Sequence, residues 1–152
     1  MNHNELHQLL LSHFSEVEVA VGSQFIEMTV APEGLHEVAK RLCEHHACRM
    51  DFLFCQSGVD VNGRLGVVYH VRSTTLKHAC VLKCFAEQRE GAVLDSVYDI
   101  WPAAYAFERE IYDLLGITFH HHPDLRRIFL EDDYRGFPLR KDFIDEINII
   151  HN

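Results

Sequence analysis

The sequence predicts an α+β fold: a largely antiparallel sheet with helices packed on one face, followed by an extended, charged C-terminal segment. Three observations carry this. Apolar residues switch repeatedly between the spacing of an amphipathic helix and the two-residue alternation of a half-buried strand. Asn62-Gly63, set between two alternating stretches, is the strongest hairpin signal, because both central residues of a type I′ turn need positive φ. After Gly116 the periodicity fades while charges of both signs crowd together. The expected division is therefore an α+β domain over 1–116 and an extended partner-docking tail over 117–152.

The elements follow in order. Asn4 can cap a first helix carrying Leu6, Leu9, Leu10 and Phe14 at helical spacing. Val17, Val19 and Val21 then alternate with Glu16, Glu18 and Ala20, and Gly22-Ser23 turns the chain into Ile26, Met28 and Val30, a hairpin with one buried face. Pro32 marks a helix start, with Leu35, Val38, Ala39, Leu42 and His46 as its stripe. A short strand over Asp51 to Cys55, a returning strand through Leu65, Val67, Tyr69 and Val71, and another over Ala79 to Glu87 complete the sheet. Pro102 can open a last helix, with Ala104, Phe107, Ile111 and Leu114 buried and Gly116 as its left-handed terminator. Four-residue spacing places Arg109 beside Asp113 on that helix.

Composition narrows the function. The 152 residues suit one domain, and an apolar fraction of 47% with 24% charged residues excludes a wholly disordered chain. A net charge of −9 argues against nucleic acid as the main partner, since phosphate backbones reward clustered Lys and Arg. The longest uncharged apolar run, Ile100 to Phe107, falls far short of the roughly 20 residues of a membrane span. The N-terminal residues lack the basic start and apolar core of a secretory signal, and five cysteines with no C-x-x-C pair favour reduced thiols. The expectation is a soluble, cytoplasmic domain.

Three constellations bear on chemistry. Cys43, His45, His46 and Cys48 cluster, and His120-His121-His122 form a run, but no second pair at matching spacing completes a zinc set. Glu108 and Glu110 diverge by about 200° around a helix, so they do not converge as an acid/base pair. No nucleophile elbow or phosphate-binding loop is present. No catalytic, cofactor-binding or metal residue is assigned. The third constellation is the tail. Residues 120–143 hold five Arg/Lys and five Asp/Glu, interleaved with Leu125, Ile128, Phe129, Leu130, Tyr134, Phe137, Leu139 and Phe143. That many large apolar groups in a charged segment favour a protein-bound surface over a solvated loop.

The stretch Glu108-Arg109-Glu110-Ile111-Tyr112-Asp113-Leu114-Leu115-Gly116-Ile117-Thr118-Phe119, running into His122-Pro123-Asp124-Leu125-Arg126-Arg127-Ile128, resembles the signature of the C-type subunit family of respiratory NADH:quinone oxidoreductase (complex I). The likeness starts upstream at Trp101-Pro102-Ala103-Ala104. It continues through Asp132-Asp133-Tyr134, Gly136 and Pro138-Leu139-Arg140-Lys141-Asp142-Phe143. The same family occurs in membrane-bound [NiFe]-hydrogenases. The resemblance implies a non-catalytic, cofactor-free subunit of the peripheral arm, an oxidoreductase by membership. It would dock to the large quinone-site subunit, or to the NiFe subunit in a hydrogenase, and to neighbouring peripheral-arm subunits. It would reach the membrane only through the complex, on the inner face of the cell membrane. It also implies that Arg109 and Asp113 pair, that Pro123 to Arg127 fix the turn out of the helix, and that Arg126, Arg127, Asp133, Arg140 and Lys141 are interface charges. A free-standing metal-binding domain using the His/Cys clusters and a small acid/base enzyme using Glu110 are the readings from other classes.

Overall fold

A computed structural model describes residues 1–144. The elements are α1 (His3–His13), β1 (Glu18–Val21), β2 (Ile26–Val30), α2 (Leu35–Glu44), β3 (Phe52–Val61), β4 (Arg64–Arg72), β5 (Ala79–Phe85), β6 (Val93–Asp95), α3 (Ala104–Leu115) and β7 (Thr118–His120). Five strands form one sheet in the order β1-β2-β5-β4-β3, and β6 and β7 form a separate pair. Three pairings of the large sheet are antiparallel and one, β2 with β5, is parallel, so the sheet is mixed. The parallel contact arises because the β3–β4 hairpin is laid down on the far side of β5, leaving β5 to close against β2.

Register explains why the helices share one face. Met28 lies opposite Leu82, Leu82 opposite Tyr69, and Tyr69 opposite Gln56, so one line of side chains crosses the sheet on the same side. The next such line, Ile26, Cys80, Val71 and Leu53, is equally buried. Leu6 and Leu10 from α1 with Phe14 just after it, Leu35, Val38, Ala39 and Leu42 from α2, and Ala104, Ile111 and Leu115 from α3 complete this core. The opposite face carries the Lys83–Glu27 ion pair at 3.0 Å and a partly exposed group of Phe25, Phe54 and His70. The Asn62-Gly63 turn is as the sequence predicts, with φ of 51° and 77°.

Several boundaries differ from the pattern. The cap of α1 is Asn2, not Asn4: its Oδ1 accepts the Glu5 amide at 2.9 Å, and the Glu5 carboxylate accepts the Asn2 amide at 3.0 Å. Only Asn2 has a glutamate three residues on, so only it can form the reciprocal pair. Pro32 opens a 3-10 turn, and α2 ends at Glu44, before His46. β3 runs ten residues, with a register shift between Leu53 and Cys55 that its sequence does not announce. Gly116 terminates α3 at φ 77°, as expected. The folded region nevertheless continues past it: β7 pairs in parallel with β6, and Ile117 and Phe119 are buried. From His121 to Ile144 the chain runs without helix or strand, and the last part of the expected tail, 145–152, lies outside the described residues.

Candidate functional site

Helix α3 buries a different stripe from the one its apolar residues predict. Ala104 and Ile111 are buried, Phe107 and Leu114 are only half-buried, and two carboxylates, Glu108 and Asp113, are fully enclosed. The cause is that α3 is covered on two sides, by β3 of the sheet and by the tail. The helix meets β3 at Gly58, where a methyl group would overlap Leu115 Cδ1 and lie 3.0 Å from Ile111 Cγ2.

Glu108 points toward the sheet. Ser96 Oγ donates to it at 2.5 Å, the Val97 amide at 3.1 Å and Gln56 Nε2 at 3.3 Å. Burial pushes its carboxyl up to about 7, against the opposing effect of these donors. Among the described residues, Gln56 Oε1 and the Tyr69 hydroxyl are buried and find no hydrogen-bond partner. A protonated Glu108 can therefore donate to Gln56 once that amide flips.

Asp113 points the other way, into the tail. Its Oδ2 accepts three successive backbone amides, from Ile128 at 3.1 Å, Phe129 at 2.7 Å and Leu130 at 3.2 Å. Arg127 lies 3.8 Å from its Oδ1. The predicted Arg109–Asp113 pair is thus not formed. Asp113 serves the loop amides, and Arg109 donates to the carbonyls of Arg126 and Arg127 at 3.3 and 3.4 Å.

The turn out of the helix is held by an aromatic and a histidine. His122 Nδ1 accepts the Asp124 amide at 3.0 Å, which leaves the proton on Nε2 to donate to the Tyr105 carbonyl at 2.9 Å. Asp124 accepts the Tyr105 hydroxyl at 2.7 Å and Arg126 Nε at 3.0 Å, and these bonds hold its carboxyl below the usual range. Pro123 sits between them.

Farther along, the charges expected at an interface split into two groups. Arg127 and Arg140 turn inward, with side chains only 10% and 11% exposed. Arg127 donates to the Gly136 carbonyl at 3.1 Å and lies over the rings of Tyr134 and Phe137. Arg140 donates to the Leu115 carbonyl at 2.7 Å and also covers Phe137. This packing bears directly on Gly116, where any side chain would strike Phe137 and Arg140. The Lys141 amide donates to Asp60 Oδ2 at 2.8 Å. Asp60 also takes a bidentate pair from Arg89, both bonds 2.8 Å, and Arg89 reaches Asp142 at 2.8 Å. Arg89 and the Lys141 amide hold Asp60 well below the usual carboxylate range. Glu110, Arg126, Asp133 and the Lys141 side chain stay exposed.

Three of the tail's large apolar groups do the reverse, while Leu125 packs against the core and Phe137 lies under the two arginines. Phe129 is 66% exposed, Leu139 59% and Ile144 69%. Sequence spacing could not find Asp60, Arg89, Gln56 or Ser96 as partners of this region, because each lies on a different element from the group it binds. The cysteine cluster likewise divides: Cys48 is in the core with its thiol pushed up to about 11 by burial, as Cys80 and Cys84 are to about 12. His45 lies against His13 and His46, at ring centroid distances of 4.4 and 4.6 Å.

Comparison with known proteins places this geometry in a family context. Residues 28–146 match the family model described as "Respiratory-chain NADH dehydrogenase, 30 Kd subunit". The C/D-type subunit of NADH-quinone oxidoreductase from Phocaeicola vulgatus is 43% identical over 120 residues, covering 78% of this chain and 23% of that protein. The C-type subunit of the same oxidoreductase from Chloroherpeton thalassium is 47% identical over 102 residues, 66% of this chain and 42% of that protein. Another C-type subunit, from Albidiferax ferrireducens, is 38% identical over 145 residues, 84% of this chain and 72% of that protein. The matched region thus spans about a quarter of the first and under half of the second. A chain in the structure of the membrane-bound sulfane sulfur reductase, an archaeal respiratory membrane complex, shares the fold. Its TM-score is 0.75 at 22% identity, over 95% of this chain and 86% of that one.

Proposed function

From the premise that the chain belongs to the respiratory-chain NADH dehydrogenase 30 Kd subunit family, we propose that it serves as the C-type subunit of an NADH-quinone oxidoreductase of the complex I class. Its role is assembly: it docks to the large quinone-site subunit and its neighbours in the peripheral arm, and so supports electron transfer from NADH to quinone without performing it. The names carried by its relatives favour this over the hydrogenase complex and over a free-standing metal-binding domain. Among the described residues no helix is long and apolar enough to cross a membrane, which is consistent with attachment through partner subunits at the inner face.

The observation that carries the docking role is the inverted polarity of the tail. Arg127 and Arg140 are spent on their own domain, while Phe129, Leu139 and Ile144 face outward. Water-exposed apolar groups of this size, in a segment that also exposes Arg126, Asp133 and Lys141, have the composition of an interface with a protein. The buried Glu108 and the burial-raised thiols offer no accessible acid, base or nucleophile at this surface. The test is co-purification of the large subunit on a tagged chain carrying Phe129→Asp and Leu139→Asp. Both positions are exposed, so folding survives, and capture of the large subunit is lost. Undiminished capture refutes the docking role.

A further inference from the structure

The histidine run that the sequence left without a partner gains one in the fold. Strands β6 and β7 pair in parallel with Asp95 directly opposite His120. Facing residues of such a pair lie about 4.8 Å apart on one side of the ribbon. Leu94 and Phe119 are buried on one side, so alternation sends Asp95 and His120 out on the other. His121 follows in the left-handed region at φ 71°. A non-glycine residue there is uncommon, and its ring lies against that of His120 at a centroid distance of 4.4 Å. One ligand atom from each of Asp95, His120 and His121 falls within 4.8 Å of the others. Asp95 and His120 also line a cavity of about 430 Å³ that Glu33 and Glu87 border.

The structure assigns these three residues as a binding site for a divalent transition-metal ion, with zinc the expected occupant. Two imidazoles and a carboxylate are borderline donors that suit zinc better than calcium or magnesium, which prefer all-oxygen sets. Tetrahedral coordination at about 2.0–2.2 Å brings donor atoms to roughly 3.3 Å apart. Both histidines are exposed, so rotation of their rings closes that gap without disturbing the core. Three protein ligands leave a fourth position for water, and Glu33 and Glu87 add negative charge to the cavity that Asp95 and His120 line. His122 is excluded, because both its ring nitrogens are committed to Tyr105 and Asp124. The bound ion would tie β6 to β7 where the tail departs.

The test is calorimetric titration of the chelator-treated full chain with zinc chloride, with the thermal midpoint followed in parallel. One zinc per chain and a raised midpoint are expected. His121→Gly removes a ligand at a backbone position glycine occupies freely, so the apo protein keeps its midpoint while affinity falls about tenfold or more. Asp95→Asn weakens binding likewise. His46→Ala, in the separate His13/His45/His46 group, leaves it unchanged. Absence of stoichiometric zinc, survival of full affinity in His121→Gly, or its loss in His46→Ala overturns the assignment.

Discussion

Replacing Glu108 with glutamine removes one ionisable group from the contact between α3 and the sheet and keeps its size. In the folded protein the Glu108 carboxyl titrates near 7, against 4.5 when the chain is unfolded. Between those pH values the folded state holds a proton that the unfolded state has released. Stability therefore falls as pH rises, by about 1.4 kcal/mol per pH unit and about 3 kcal/mol over the interval. The contribution is fully present below pH 4.5 and gone above pH 7, where the buried group is ionised. Glutamine carries no such cost. Its one carbonyl oxygen can take the place of Oε2 and accept from Val97 and Gln56, while its NH2 takes the place of Oε1 and donates to Ser96 Oγ, whose hydroxyl turns to accept. Urea unfolding of both proteins from pH 4.5 to 8 measures the effect as a difference, which cancels every contribution the two proteins share. The Glu108→Gln protein should match the wild type near pH 4.5 and exceed it by about 3 kcal/mol at pH 8. Parallel curves, or a wild type that gains on the variant with rising pH, would refute the reasoning.

Other substitutions probe the joints of the fold. Gly58→Ala inserts a methyl against Leu115 and Ile111 and should cost about 1–3 kcal/mol by overpacking, read in chemical denaturation. Asp113→Ala strips the acceptor from three tail amides and the partner from Arg127; a loss on the order of 3 kcal/mol is expected, with faster amide exchange at Ile128, Phe129 and Leu130. Asp60→Asn breaks the bidentate pair with Arg89 beneath the Lys141 amide, so limited proteolysis near residues 139–144 should speed up while the sheet stays intact. Because the Asp60 carboxyl is depressed in the fold, its hold on the tail is present above its ordinary value of 3.8 and is lost as pH falls below it. The accelerated cleavage should therefore appear in the wild type only at acidic pH.

Local elements are legible where one short-range rule decides them. The Asn62-Gly63 hairpin, the Gly116 terminator and the buried stripe of α2 each follow from spacing or from the steric freedom of glycine. The stripe of α3 is not, because apolar spacing takes no account of carboxylates. Glu108 and Asp113 are buried by virtue of partners 11 to 17 residues away or on another strand, and such partners leave no periodic trace. The composition of the tail suggests a segment unable to fold without a partner, yet Asp60, Asp113 and Arg89 bind part of it to its own domain. The metal-site candidate shows the same limit: His120 and His121 are visible as a run, but Asp95 becomes their neighbour only through parallel pairing.

By itself the sequence determined the alternation of helix and strand, the side of the sheet that carries the core, and a family signature running from Trp101 to Phe143. These depend on side-chain period and on local backbone sterics, which act over a few residues. Only the tertiary structure decided that β2 and β5 run parallel, that two carboxylates of α3 are enclosed with opposite duties, and that the tail turns Arg127 and Arg140 in and Phe129 and Leu139 out. Those outcomes are set by which groups meet across the fold. A buried polar group must be satisfied by whatever the packing brings to it, and linear spacing cannot say what that will be.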